Sequence, residues 1–175
     1  MTILLIVLII IAIPFIVAGV MKRDYAVVRE VTVNKPKQQV FDYIKFIKNQ
    51  DNFSKWQLMD PNAEKTYSGV DGTVGFSSAW KSNNKQVGQG VQTLTGIVDG
   101  ERIDIGLHFI KPFDGLATSY MTTTEVSPNQ TTVKWGFNGA MKYPMNIMLA
   151  VMNMEKMIGG DLQTGLDNLK TLLEK

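Results

Sequence analysis

Six short apolar runs, separated by tight turns, precede a single long helical stretch. The runs cover residues 63–69, 73–80, 86–98, 101–110, 116–126 and 131–139, and the helical stretch covers 144–173. Asp71-Gly72, Ser82-Asn83-Asn84, Asp99-Gly100, Pro112 to Gly115 and Pro128-Asn129 separate the runs. Connections this short make antiparallel hairpins and are too short for parallel crossovers. A helix with no partner helix of similar length must lay its apolar face on the sheet. Such a sheet and helix leave room for a cavity between them, so the expected architecture is a container for something apolar.

Alternation assigns faces to some of these strands. Phe76, Ser78 and Trp80 share one face with Val74. Ile103, Ile105, Leu107 and Phe109 share another, with Arg102, Asp104 and His108 opposite. In the last strand Val133, Trp135 and Phe137 oppose Lys134 and Asn138. Residues 86–98 and 116–126 alternate poorly and are rich in Thr, Ser, Gln and Gly, so their faces stay unassigned. In the helix, Met145, Met148, Leu149, Met152, Leu162, Leu166, Leu169 and Leu173 form a helical stripe. Gly159-Gly160 interrupts it and predicts a kink, or a close pass of the helix over the sheet or a ligand.

Upstream, residues 27–33 alternate as one more strand, giving seven in all. Asn34 as a cap and Pro36 in the first turn then start a helix carrying Val40, Phe41, Ile44, Phe46 and Ile47. A second short helical piece, 51–58, carries Phe53 and Trp56.

The chain opens on an unbroken apolar run of 18 residues, Ile3 to Val20, and its first 21 residues hold no charged side chain. At ~1.5 Å per residue that run spans ~27 Å, close to the hydrocarbon thickness of a bilayer. Pro14 is tolerated in lipid-embedded helices. A cleaved signal peptide would need a basic start and a small-residue cleavage site, and neither is present. The expected division is a transmembrane anchor at 1–21, a juxtamembrane linker at 22–26 and a ligand-binding domain at 27–175. Lys22, Arg23, Arg29, Lys35 and Lys37 follow the run, which by the positive-inside rule places the domain on the cytoplasmic side. A net charge of +2, without a basic stripe, argues against nucleic acid as a partner. The absence of cysteine decides nothing about compartment.

Several stretches resemble the START-like, Bet v 1-like superfamily (SRPBCC), and within it bacterial polyketide cyclase/dehydrase-type proteins. They are Val31-Thr32-Val33-Asn34-Lys35-Pro36 through Val40-Phe41-Asp42-Tyr43-Ile44, and Trp56 with Asp60-Pro61. Val87-Gly88-Gln89-Gly90, Leu107-His108-Phe109-Ile110-Lys111-Pro112-Phe113 and Thr132-Val133-Lys134-Trp135 continue the likeness. It ends in Met154-Glu155-Lys156-Met157-Ile158-Gly159-Gly160-Asp161-Leu162 and Gly165-Leu166 with Leu169-Lys170. The resemblance implies an α+β helix-grip fold: a seven-stranded antiparallel sheet around a long C-terminal helix, with a hydrophobic cavity between them.

No catalytic set stands out. His108 is the sole histidine, and alternation puts it on the polar face with Arg102 and Asp104. One His and no Cys cannot build a zinc site. Gly88 and Gly90 lie within a strand and lack the third glycine of a dinucleotide loop, so no cofactor is expected. Ser77, Ser78 and Ser119 have no identifiable base, and Tyr67, Tyr120 and Arg102 match no cyclase set.

The expected cavity lining is Phe76, Trp80, Ile105, Leu107, Phe109, Trp135, Phe137, Met148 and Met152. The two methionines fit a cavity wall or a plain core equally. Phe113, a bulky apolar residue in the 111–115 loop, is the expected gate or membrane contact, unless it tucks against Trp56 or the last helix. The function expected is membrane-anchored binding of an apolar or amphipathic small molecule, lipid-like, without chemical change. A cyclase/dehydrase-type enzyme and a closed-core stress-response or interaction domain are the alternatives.

Overall fold

The computed structural model describes the backbone of residues 2–175 and the side chains from Ile10 onward. Seven strands form one sheet: β1 Asp24–Val33, β2 Glu64–Ser68, β3 Ser77–Lys81, β4 Gln89–Val98, β5 Arg102–Lys111, β6 Gly115–Ser127 and β7 Gln130–Ala140. Their order is β1-β7-β6-β5-β4-β3-β2, and every pairing is antiparallel. The meander of β2 to β7 thus closes on β1, which pairs with β7 from Asp24↔Ala140 to Val33↔Thr131. The helices are α1 Thr2–Val20, α2 Lys37–Ile44, α3 Lys55–Met59 and α4 Met154–Leu173, with 3-10 segments at Ile47–Asn52 and Met145–Ala150.

One face of the sheet is covered and is called the inner face below. Leu162, Leu166 and Leu169 of α4 are fully buried in one cluster with Val27, Val33, Val133 and Trp135. Burial of each leucine is worth about 1.5–3 kcal/mol. Val40, Phe41 and Ile44 of α2, with Ile47 and Phe53, belong to the same cluster, as do Phe76, Leu94, Ile103, Ile105, Met121 and Phe137. Arg29 of β1 donates to the Glu155 carboxylate at 2.5 Å and to the Glu155 carbonyl at 3.0 Å, and Lys170 donates to the Thr32 carbonyl at 2.6 Å.

The structure departs from the sequence reading at several points. The helical stretch 144–173 is two pieces, and the break falls at 151–153 instead of at the glycine pair. The Asn153 side chain accepts the Lys156 N–H at 2.8 Å, starting a new helix there. Gly159 instead marks close approach: a Cβ on it would lie 2.2 Å from Arg29 Nη2.

Asp71-Gly72 does not form a two-residue hairpin, because residues 69–76 separate β2 from β3. The Asp71 carboxylate accepts the N–H groups of Ile47 (2.8 Å) and Lys48 (3.1 Å), capping the 3-10 segment. Val74 is therefore 60% exposed in that loop, while Phe76 turns inward.

Asn34 does not cap α2. Its N–H donates to Glu174 at 2.6 Å, and its side-chain oxygen accepts from Gln130 at 3.0 Å. Residues 24–26, expected in a linker, are already paired with β7.

Among the described residues no helix is long and apolar enough to cross a membrane. The side chains of residues 1–9, part of the expected anchor, lie outside them. The C-terminal end of α1 docks on the 3-10 segment Met145–Ala150, where the fully buried Asn146 donates its Nδ2 to the Ala18 carbonyl at 2.7 Å.

Candidate functional site

Register determines which side chains share the inner face. Antiparallel partners point the same way, and one transverse row reads Tyr67, Ser78, Gln92, Leu107, Ala117, Gly139, Tyr25. The row on one side of it holds Trp80, Gly90 and Phe109, and the row on the other holds Leu94, Ile105, Ser119, Phe137 and Val27. Trp80 packs over Gly90, and Tyr25 packs over Gly139. A Cβ on those glycines would lie 2.5 Å from Trp80 Cζ2 and 2.4 Å from the Tyr25 hydroxyl oxygen.

The aromatic residues connect. Tyr25 stacks on Phe137 at 6.1 Å between centroids, Phe137 meets Phe109 at 6.4 Å, and Phe109 meets Trp80 edge-on at 6.1 Å. Deeper, Trp135 is edge-on to Phe53 (5.7 Å) and Trp56 (6.1 Å). The Trp135 indole N–H donates to Ser119 Oγ at 2.9 Å, and that hydroxyl donates to the Gly136 carbonyl at 2.9 Å. Both polar groups of this buried pair are thereby satisfied.

Seven of the nine residues expected to line a cavity share this inner face. Phe76, Ile105, Trp135 and Phe137 are buried core, while Trp80, Leu107 and Phe109 are half-buried. The interval between α4 and β1–β7 is filled by the three leucines, so the open part of the face lies where α4 does not reach. Met152 borders a groove of about 440 Å³ with Met21, Tyr25, Val27, Leu149 and Met154. Met148 is 36% exposed on the Met145–Ala150 segment and is not part of that lining. A second groove of about 740 Å³ is lined by the outward-facing Ala26, Leu116, Thr118 and Asn138 together with Tyr25, Ala117 and Gly139 of the inner row. Phe113 is 75% exposed in the loop between β5 and β6.

Two residues of this face, Tyr25 and Gln92, escaped the sequence reading, whereas alternation places Ser78 with Phe76 and Trp80. Tyr25 lies two positions before Val27, and continuing the period of two would have placed it inward. Burial raises its phenol pKa above the ordinary value of 10.0. Gln92 and Ser78 are 6% and 5% exposed, opposite each other across β3 and β4. Gln92 sits in the strand whose alternation is broken by a register shift between Leu94 and Gly96.

His108 lies on the outer face, as alternation indicates, but its partner is Asp114 at 2.8 Å. Arg102 and Asp104 pair with each other at 2.7 Å, with Arg102 over the Tyr120 ring at 4.4 Å. The hydrogen bond from His108, with Lys142 nearby, holds Asp114 below the ordinary carboxylate pKa.

A seven-stranded antiparallel sheet gripping a C-terminal helix, with an aromatic inner face, defines an α+β helix-grip protein. Residues 25–174 match the family described as polyketide cyclase / dehydrase and lipid transport, and the chain belongs to that family. No curated sequence matches the chain.

Solved structures share the fold at low identity. A Rhizobium loti protein is 15% identical, with TM-score 0.62, over 85% of this chain and 96% of its own. Truncated norcoclaurine synthase from Thalictrum flavum is 11% identical, with TM-score 0.62, over 88% and 96%. The Aha1 dimer from Colwellia psychrerythraea is 13% identical, with TM-score 0.59, over 86% and 96%.

Proposed function

We propose that this domain binds an apolar or amphipathic small molecule of lipid-like character on its inner face, without transforming it, while α1 tethers it to a bilayer. The observation that carries the reading is the aromatic row Tyr25–Phe137–Phe109–Trp80, whose Tyr25 end borders the 440 Å³ groove. A ligand entering between β1 and Met152 would bury apolar surface against that row, at roughly 25 cal/mol per Å². Gln92 and Ser78 would orient its polar end. The description of the family includes lipid transport, which supports this ligand class.

The anchor is supported by the 18-residue apolar run and by the exposure of Ile10, Ile13, Phe15, Ile16 and Val20 on α1. Lys22 and Arg23 beside it favour a cytoplasmic domain.

Titration of a fluorescent fatty-acid probe tests the binding. Wild-type protein should bind it saturably, and Met152→Trp, which narrows the groove without touching the buried core, should weaken it. Equal binding by both would refute this entry path.

An enzyme of the cyclase/dehydrase type is the second reading, favoured by one observation: Tyr25 is an ionisable group in the groove with a raised pKa. Loss of turnover of a bound ligand in Tyr25→Phe, with binding retained, would support it. Filling of the α4 interval by Leu162, Leu166 and Leu169 supports the closed-core alternative in that half only.

A further inference from the structure

We infer that the sheet end next to α1 is a second membrane contact, docking the domain flat on an anionic bilayer instead of leaving it on a free tether. Topology gathers the relevant loops. The start of β1, the end of β7, the start of β6 and the end of β5 all lie at this end. Phe113 (75% exposed), Leu116 (72%) and Tyr143 (47%) lie there as large, solvent-exposed side chains. Lys22, Arg23, Lys111 and Lys142 are exposed among them, complementary to anionic headgroups. Of the acidic neighbours, Asp24 is exposed, and Asp114 is engaged by His108 at 2.8 Å and Lys142 at 3.5 Å. The 740 Å³ groove bordered by Lys22, Arg23 and Leu116 opens at this same end.

The connection to α1 is too short to hold this end away from a bilayer. Only Met21, Lys22 and Arg23 separate α1 from β1, a reach of at most about 14 Å. Asn146 shortens it further by clamping the Ala18 carbonyl. From β1 the β5–β6 loop is three strand spacings away, about 14 Å along the surface. Apolar tips beside cations at interfacial depth are the pattern of a surface-bound element.

The inference rests on reading α1 as the anchor, and the test separates the two. The chain has no cysteine, so single cysteines can be introduced and labelled with an environment-sensitive fluorophore. Full-length protein is reconstituted in phosphatidylcholine vesicles with or without phosphatidylglycerol and with lipid-borne quenchers. Labels are placed at Phe113→Cys, Leu116→Cys, Ile10→Cys and, at the opposite end of β7, Asn129→Cys.

Docking predicts several-fold stronger quenching at 113 and 116 than at 129, and a loss of that difference without phosphatidylglycerol. Quenching at 10 but not at 113 or 116 would overturn the docking and leave the anchor standing. Quenching at 113 and 116 but not at 10 would keep the docking and remove the anchor. Absence of quenching at 10, 113 and 116 would overturn both.

Discussion

The glycines of α4 give opposite predictions for one substitution. Gly160 has open space where a Cβ would go, so Gly160→Ala should stabilise the protein by the helix-propensity difference, about 1 kcal/mol. At Gly165 a Cβ would lie 2.7 Å from Trp135 Cζ3. The indole cannot yield easily: Ser119 holds its N–H, and Phe53 and Trp56 bracket the ring. Overpacking of this kind costs about 1–3 kcal/mol. Set against the same propensity gain, Gly165→Ala should be neutral to about 2 kcal/mol destabilising. Gly159→Ala should fall between: the Arg29 guanidinium it meets at 2.2 Å ends a long side chain that can swing aside, but only by giving up its hydrogen bonds to Glu155. Denaturation of the purified proteins followed by circular dichroism ranks them. If Gly165→Ala stabilises as much as Gly160→Ala, α4 does not press on Trp135 as described.

Three more perturbations test separate parts of the account. Ser119→Ala strands the buried Trp135 N–H and should cost about 1–3 kcal/mol, read by the same denaturation; an unchanged stability would mean water replaces the hydroxyl. Asn153→Ala removes the cap of α4 and should cost about 1 kcal/mol, with the loss concentrated in faster hydrogen exchange of the first turn. Glu174 accepts the Asn34 N–H, and that bond depresses its pKa below the ordinary 4.5. A depressed carboxylate stabilises the fold above its ordinary pKa and loses that contribution as the pH falls through the folded-state value. Glu174→Gln should therefore flatten part of the acid side of a melting-temperature profile, and an unaltered profile would exclude the contact.

Strands that alternate strictly were legible in the sequence. β5 and β7 put Ile103, Ile105, Val133, Trp135 and Phe137 inward as the period of two requires. β6 was not, because its inward residues include Ser119 and Thr123, polar groups satisfied by the carbonyls of Gly136 and Gly100. Such tertiary partners have no signature in a single strand. β4 was obscured by register shifts at Gln89/Gly90 and Leu94/Gly96 and by an inward set, Gly90, Gln92 and Leu94, of which only one residue is large and apolar. Asp71-Gly72 reads locally as a hairpin, yet Asp71 is claimed by backbone groups at Ile47 and Lys48, distant in sequence. The helical stripe continued through 151–153, and only the cap on Lys156 reveals the break that carries Met148 and Met152 away from α4. The candidate site was legible as an aromatic face, and its opening beside Tyr25 was not.

Mass spectrometry of small molecules extracted from the full-length protein, purified in mild detergent, tests the binding reading most directly. Leu107→Trp and Met152→Trp, shown to be folded by circular dichroism, serve as detergent-matched controls. The account predicts a stoichiometric apolar species with the wild-type chain and its depletion from both variants. An empty wild-type protein, or a species retained equally by variants that fill the face and its groove, would contradict it.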